Sequence, residues 1–302
     1  MAKLTKSEKI KVAVAAALIL AVVAVPVLDA VTGGWRLPLF GIHLDSEGTP
    51  GSSYDPTTLE EPVERTHTFD AASVRDFDIA WHGGTVEIKR GAVDEVVVRE
   101  EIPAGSYIMD PTRATADIVH EGVLQIDDRL PDDGGDTYPA SHLTIELPEE
   151  TSKALGSISV ESIVADISIQ NVTCEEVGID SASSACTLRG FTADVVSIDT
   201  VHGSVTVNGT VTSVLEINTV SGKQNIQLVG TLPGDILLDS VGANATLKLP
   251  EDAGFTVKAA TVSGDVSSSR TIGTVRDDGA YVYGDGATAV TFNSVTGSLS
   301  VV

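Results

Sequence analysis

Between residues 157 and 302, apolar and polar residues alternate in short runs broken by Gly, Asn and Ser, and the runs recur. Val160-Glu161-Ser162-Ile163, Ile179-Asp180-Ser181-Ala182, Ile198-Asp199-Thr200-Val201 and Ile217-Asn218-Thr219-Val220 start 19 residues apart. Leu238-Asp239-Ser240 and Ala259-Ala260-Thr261 follow at two spacings of 21, and Phe292-Asn293-Ser294 at a spacing of 33. A fixed period near 20 marks stacked repeats, and alternation within each marks strands. The alternation puts Ile198, Thr200, Val205 and Val207 on one face and Asp199, Ser204 and Thr206 on the other. His202-Gly203, Ser221-Gly222 and Asn208-Gly209 supply corners that tolerate positive φ.

One such unit has nothing to bury its aliphatic row against, whereas stacked copies build a continuous core. The pattern therefore predicts an all-β β-solenoid, a parallel β-helix-like stack of coils of about 19–21 residues with very little helix. Equivalent positions become rows. Val160, Ile179, Ile198, Ile217 and Leu238 form a core row. Glu161, Asp180, Asp199, Asn218 and Asp239 form an outward row, and Ser162, Ser181, Thr200, Thr219 and Ser240 a row of small hydroxyls. Consecutive copies are expected to lie one upon another. The spacing of 33 predicts an excursion near residues 270–288, and the strand-like ending Ser298-Leu299-Ser300-Val301-Val302 predicts that the last coil closes at the C-terminus. Residues 63–156 read as irregular first coils with a cap: Phe77–Ala80 and Thr85–Ile88 flank a Gly83-Gly84 turn, and His142–Leu147 stops at Pro148.

Ahead of this body, Val12 to Leu28 is an uncharged apolar run of 17 residues behind Lys3, Lys6, Lys9 and Lys11. It would reach about 26 Å as a helix, enough to cross a thin bilayer. The lysines predict a cytoplasmic tail over 1–11, a transmembrane helix over 12–28 and an extracytoplasmic remainder. A cleaved signal peptide ending at Ala24 is the competing reading; Pro26 and the membrane-interface residues Trp35, Leu37, Leu39 and Phe40 favour the anchor. Residues 29–62 join anchor to body, with a Pro/Gly/Ser-rich stalk from Ser46 to Pro62.

The order of these parts resembles a bacterial family of β-strand-repeat adhesin candidates of unknown function that includes LiaG-like envelope proteins. The likeness rests on the entry at 77–88, the strand Leu143–Pro148 and units such as Thr219–Gly222, Thr261–Val266 and Ser294–Leu299. It implies a β-solenoid exposed on the cell envelope, sometimes linked to envelope-stress regulation, and it carries over no catalytic residue.

Composition narrows the picture. Aromatics are 4% of the chain, so Val, Ile, Leu and Ala must fill the core. Residues 12–302 carry 15 basic against 42 acidic side chains, a charge that repels phosphate backbones and excludes nucleic-acid binding. The same field favours cationic groups, and it also keeps a β-rich surface soluble.

Candidate chemistry is sparse. His43, His67, His82, His120, His142 and His202 show no metal-ligand spacing, and His202 takes the turn place of Ser221 and Ser263. Cys174 and Cys186 lie outside any CxxC; Cys186 falls on the core positions of Ile167 and Val205, which favours a buried thiol, while export would permit a disulfide. Asp132-Asp133-Gly134-Gly135-Asp136 reads as an acidic loop lacking calcium-loop spacing. Asn171, Asn208 and Asn244 begin Asn-x-Thr triplets at expected turns. The candidate binding face is Asp180, Asp199, Asn218 and Asp239. Carboxylates one and two rungs apart would stand about 5 and 10 Å apart, within reach of glycosidase geometry, but no basic cluster or aromatic platform accompanies them. No catalytic residue, cofactor or metal is expected. The function this supports is a membrane-anchored, non-enzymatic envelope module that binds an envelope protein or cell-wall polymer. The alternatives are an accessory or sensor of envelope-stress signalling and a carbohydrate-active enzyme.

Overall fold

The computed structural model describes residues 57–108, 116–118, 122–128, 140–270, 274–277 and 279–302. The expected anchor at 12–28, its cytoplasmic tail, most of the stalk and the acidic loop at 132–136 lie outside these residues. The described body is all-β, and its helix is limited to two three-residue 3₁₀ turns, Ala71–Ser73 and Thr151–Lys153.

The repeats stack in parallel. Leu155–Ser162 pairs with Thr173–Ser183, which pairs with Cys186–His202, which pairs with Val205–Ser221. Every step advances 19 residues, as Val160↔Ile179, Ile179↔Ile198 and Ile198↔Ile217 show. Ile217 then meets Leu238, so the predicted core row is continuous. Each coil has a first strand and, after the corner, a second strand. The second strands form their own parallel ladder, running through Asp166–Gln170, Cys186–Arg189, Val205–Gly209, Lys223–Leu228 and Asn244–Lys248. Inward side chains of both ladders meet in one cluster, in which Ile179, Ile198, Val205, Val207, Ile217 and Leu238 are almost wholly buried.

The corners explain the sequence between the strands. Ser181 Oγ donates to Thr200 Oγ1 at 3.0 Å and Ser240 Oγ to Ser294 Oγ at 2.8 Å, so the hydroxyl row bonds along the stack. Thr200 Oγ1 also donates to the carbonyl of His202, tying the corner to the strand end. At Gly222 the backbone has φ +135°, and a Cβ would lie 1.8 Å from the carbonyl oxygen of Gly203 on the rung below. Glycine is needed there both for conformation and for the approach of one turn to the next.

At the two ends the chain leaves sequential order, which corrects the expected coil-on-coil succession. The row after Leu238 is Phe292, not Ala259. Asp235–Ser240 pairs with Thr288–Ser294, and Phe255–Thr261 pairs with the far side of that strand. The second ladder agrees: Asn244–Lys248 pairs with Leu299–Val301, which pairs with Val266–Ser268. Coil 288–301 is thus interposed between coils 235–248 and 255–268. The excursion contains Tyr281–Tyr283, which runs antiparallel on the outer edge of Phe255–Thr261, and Thr274–Val275, which pairs antiparallel with Tyr281–Tyr283 in turn. The physical reason lies in the side chains. Val290, Phe292, Leu299 and Val301 are suited to apolar neighbours on both sides and are at most 1% exposed. The outer coil buries Phe255 and Val257 as well, but at the places level with Phe292 and Leu299 it carries the smaller, partly buried Ala259 and Val266.

The other end mirrors this. Coil 76–90 pairs with coil 155–170 on one side and with Val123–Asp127 and His142–Leu147 on the other, so the earlier segment is the inner one. Val96–Ile102 covers His142–Leu147 antiparallel, and Val63–Phe69 covers that strand in turn. Thr57–Thr58, inside the expected stalk, pairs with Tyr107–Ile108. Trp81 is fully buried in the inner coil, its Nε1 donating to the carbonyl of Ser141 at 3.4 Å. At the opposite end Phe255 stacks on Tyr283 with centroids 4.5 Å apart, while Arg270 lies over Phe255 and donates to the carbonyls of Leu249 and Ala253.

Candidate functional site

The outward row is assembled by strand register. Glu161, Asp180, Asp199, Asn218, Asp239 and Asn293 occupy equivalent places on six successive rungs. With rungs about 4.8 Å apart the row spans about 24 Å. All four residues of the predicted binding face therefore share one line, and the stack extends it to Glu161 and Asn293. Nearest like charges repel at this spacing, and amides relieve them. Asn218 Nδ2 donates to Glu216 Oε1 at 3.1 Å, and Asn293 Nδ2 donates to Asp239 Oδ1 at 2.8 Å.

Burial and crowding set the electrostatics. Partial burial pushes Asp199 up to about 6, against the pull of Asn218, with the charges of Asp180 and Glu216 adding to the rise. Asp180 is raised by burial and by Glu161, and Asp239 by burial and by Glu216. Desolvation disfavours the charged form, and a like charge does the same. Asp180 and Asp199 stand opposite each other on adjacent rungs, where the charge of Asp180 disfavours that of Asp199.

Two residues beyond this row, on the same side of the strands, runs an apolar ridge. Ile163, Val201, Val220, Val241 and Val295 are half-buried, and Ala182 is exposed. Backbone bonds from Gly242 to Val220 at 2.8 Å and from Thr296 to Val241 at 2.9 Å carry the ridge from rung to rung. The sequence pattern hid it, because a valine just before the turn reads as another core residue. Its signal was position: two residues past the Asp row, on the outward phase of the alternation.

The other candidates are placed apart from this surface. His82 Nδ1 lies 2.6 Å from Asp128 Oδ1, and Asp128 Oδ2 accepts the backbone N–H of His82 at 2.6 Å. The pair ties the inner coil to the outermost one. His202 is exposed at its turn, and His142 bonds Thr85 at 2.9 Å. Among the described residues no three His, Cys, Asp or Glu side chains are grouped to hold a metal ion. Cys174 and Cys186 are free and buried. Cys174 lies level with Leu155 and Ala193, Cys186 with Ile167 and Val205, so the two occupy different rows. Burial pushes their thiols up to about 12 and about 11, which leaves little thiolate for reaction or pairing.

The sequence profile of the Toastrack DUF4097 family matches residues 74–301. The chain belongs to that family. The match takes in both non-sequential ends of the Toastrack body as well as its regular middle. Solved structures similar to it include a candidate cell adhesion protein from Clostridium sporogenes ATCC 15579, at 12% identity over 80% of this chain and 99% of that one, with a TM-score of 0.39. A candidate adhesin from Bacteroides fragilis NCTC 9343 is 14% identical over 81% of this chain and 99% of that one, with a TM-score of 0.48. A candidate adhesin from Parabacteroides distasonis ATCC 8503 is 11% identical over 80% and 97%, with a TM-score of 0.34. No curated protein shows significant similarity to this Toastrack chain.

Proposed function

We propose that this Toastrack protein is a non-enzymatic binding module of the bacterial envelope. Segment 12–28 holds it to the membrane as a single-pass helix with the N-terminus cytoplasmic and the β-body outside. The observation that carries the binding reading is the acidic row lying two residues from a half-exposed apolar ridge over successive rungs. A rigid line of carboxylates favours a partner with regularly spaced cationic groups, and the ridge supplies apolar contact beside it. The chain's excess of 42 acidic over 15 basic side chains beyond residue 11 steers in the same sense. An envelope protein or a cationic wall polymer has the matching chemistry. A β-stack needs no closure to bind in this way, since register alone fixes the spacing of the carboxylates.

The test is affinity capture with the full-length chain, immobilised in detergent, from solubilised envelopes. The intact protein is expected to retain a cationic component that salt releases. A chain carrying Asp180→Asn, Asp199→Asn and Asp239→Asn together is expected to lose it. Retention of no envelope component, or equal retention by both chains, overturns the reading. Protease shaving of intact cells checks the topology: the β-body should be cut from outside.

A further inference from the structure

Coil 288–301 is held on both flanks by parallel pairing. Asp235–Ser240 and Asn244–Lys248 lie on one side, Phe255–Thr261 and Val266–Ser268 on the other. The chain reaches this place by an indirect path. It passes over the slot after Lys248, builds the outer coil, and turns back through a segment in which Gly279, Gly284 and Gly286 all take positive φ.

The slot is matched to the sequence of its occupant. Asn293 Nδ2 donates to Asp239 Oδ1 at 2.8 Å, and Ser240 Oγ donates to Ser294 Oγ at 2.8 Å. The backbone N–H of Ser298 donates to Asn244 Oδ1 at 2.9 Å, and Thr288 Oγ1 donates to the carbonyl of Pro233 at 2.9 Å. Phe292 fills the core row between Leu238 and Ala259.

With the coil withdrawn, the slot would present two parallel strand edges about 9–10 Å apart on each ladder. Water can satisfy the edges but not the apolar rows behind them. A filler must run parallel to both neighbours, carry an amide opposite Asp239 and place a large aromatic one residue before it. A second copy of this chain carries such a segment already joined to a returning linker. We propose that coil 288–301 is an exchangeable rung, and that its slot is a binding site for the same rung of a second copy, giving a coil-swapped dimer. Exchange of an identical element preserves every contact of the closed monomer, so the swapped form differs mainly in linker path and in the entropy of association.

Full-length protein incubated with a fluorescent peptide of residues 286–302 should capture the peptide, read as co-elution on size exclusion. The peptide carrying Asn293→Asp should be captured about tenfold more weakly, because it sets a carboxylate against Asp239 and loses the amide donor. In a second arm, a Ser240→Cys chain is mixed with a Ser294→Cys chain and oxidised. A disulfide-linked heterodimer forms only when the coil of one copy occupies the slot of the other. Either selective capture or the heterodimer supports exchange. Failure of both overturns it, and so does equal capture of the two peptides with no heterodimer.

Discussion

The middle of the stack and its C-terminal end use the same rung but assemble it differently. From Leu155 to Leu228 each coil lies on the one before it in the chain, at an advance of 19 residues broken only where Phe191–Ala193 meet Gly209–Val211 at 18. After Lys248 the chain jumps a place, and coil 288–301 fills the gap it leaves. Register is a local property, fixed by which residues must face inward. Coil order is a global one, fixed by which coil gains most from neighbours on both sides. Phe292 is fully buried between two apolar rungs, whereas Val262 at the corner of the outer coil is 51% exposed.

The sharpest way to break this contrast is at the interposed coil. Phe292→Ala should lower stability by about 3–5 kcal/mol, because the cavity lies between two rungs that cannot both collapse into it. Val266→Ala, on the partly buried outer coil, should cost about 1 kcal/mol. Denaturant midpoints of the two variants measure the difference, and equal losses would remove the energetic basis for the inner position.

A smaller effect is expected at the corners. Gly222→Ala forces a Cβ against Gly203 in a left-handed conformation and should cost on the order of 1–3 kcal/mol. Gly242→Ala, exposed and with its nearest neighbour Thr296 Oγ1 at 3.4 Å, should stay within about 0.5 kcal/mol. Thermal unfolding of the pair distinguishes a corner that needs glycine from one that tolerates a side chain.

The smallest change is expected from the outward row. A carboxyl whose folded pKa lies above its unfolded value binds its proton more tightly when folded. Asp199, raised to about 6, therefore stabilises the fold as pH falls from about 6 towards about 4 and withdraws that stability as pH rises through the same window. Asp199→Asn should raise stability at pH 7 by on the order of 1 kcal/mol and flatten this part of the pH profile. An unchanged slope between pH 4 and 6 would show that Asp199 does not titrate there.

Much of this was legible in the chain. The core, carboxylate and hydroxyl rows follow from a period of 19 and an alternation of two, and the register pairs them as read, from Val160 to Leu238. The order of the last two coils was not legible, since Ala259 and Phe292 satisfy the same alternation and either can sit beside Leu238. Only the bulk of their side chains and the antiparallel strands on the outer edge separate them. The ridge at Val201, Val220 and Val241 escaped notice because hydrophobicity alone assigns valine to the interior; the exposure comes from the strand ending at the corner. Asn293 was visible as part of a repeat, but its place beside Asp239 depended on the coil order.

The antiparallel strands at the two ends have a further effect. Parallel ladders bond evenly along their length, whereas antiparallel ones alternate narrow and wide pairs. After two antiparallel steps the outermost strand at one end, Val63–Phe69, runs again in the direction of the coils but carries the charged Glu64 and Arg65, and at the other end Thr274–Val275 is only two residues long. The remaining parallel edge at that second end, Val266–Ser268, is only three residues long. A building plan that could otherwise extend into a fibre thus ends, beyond nine described parallel rungs, on edges that are charged or very short, which disfavours the addition of another coil.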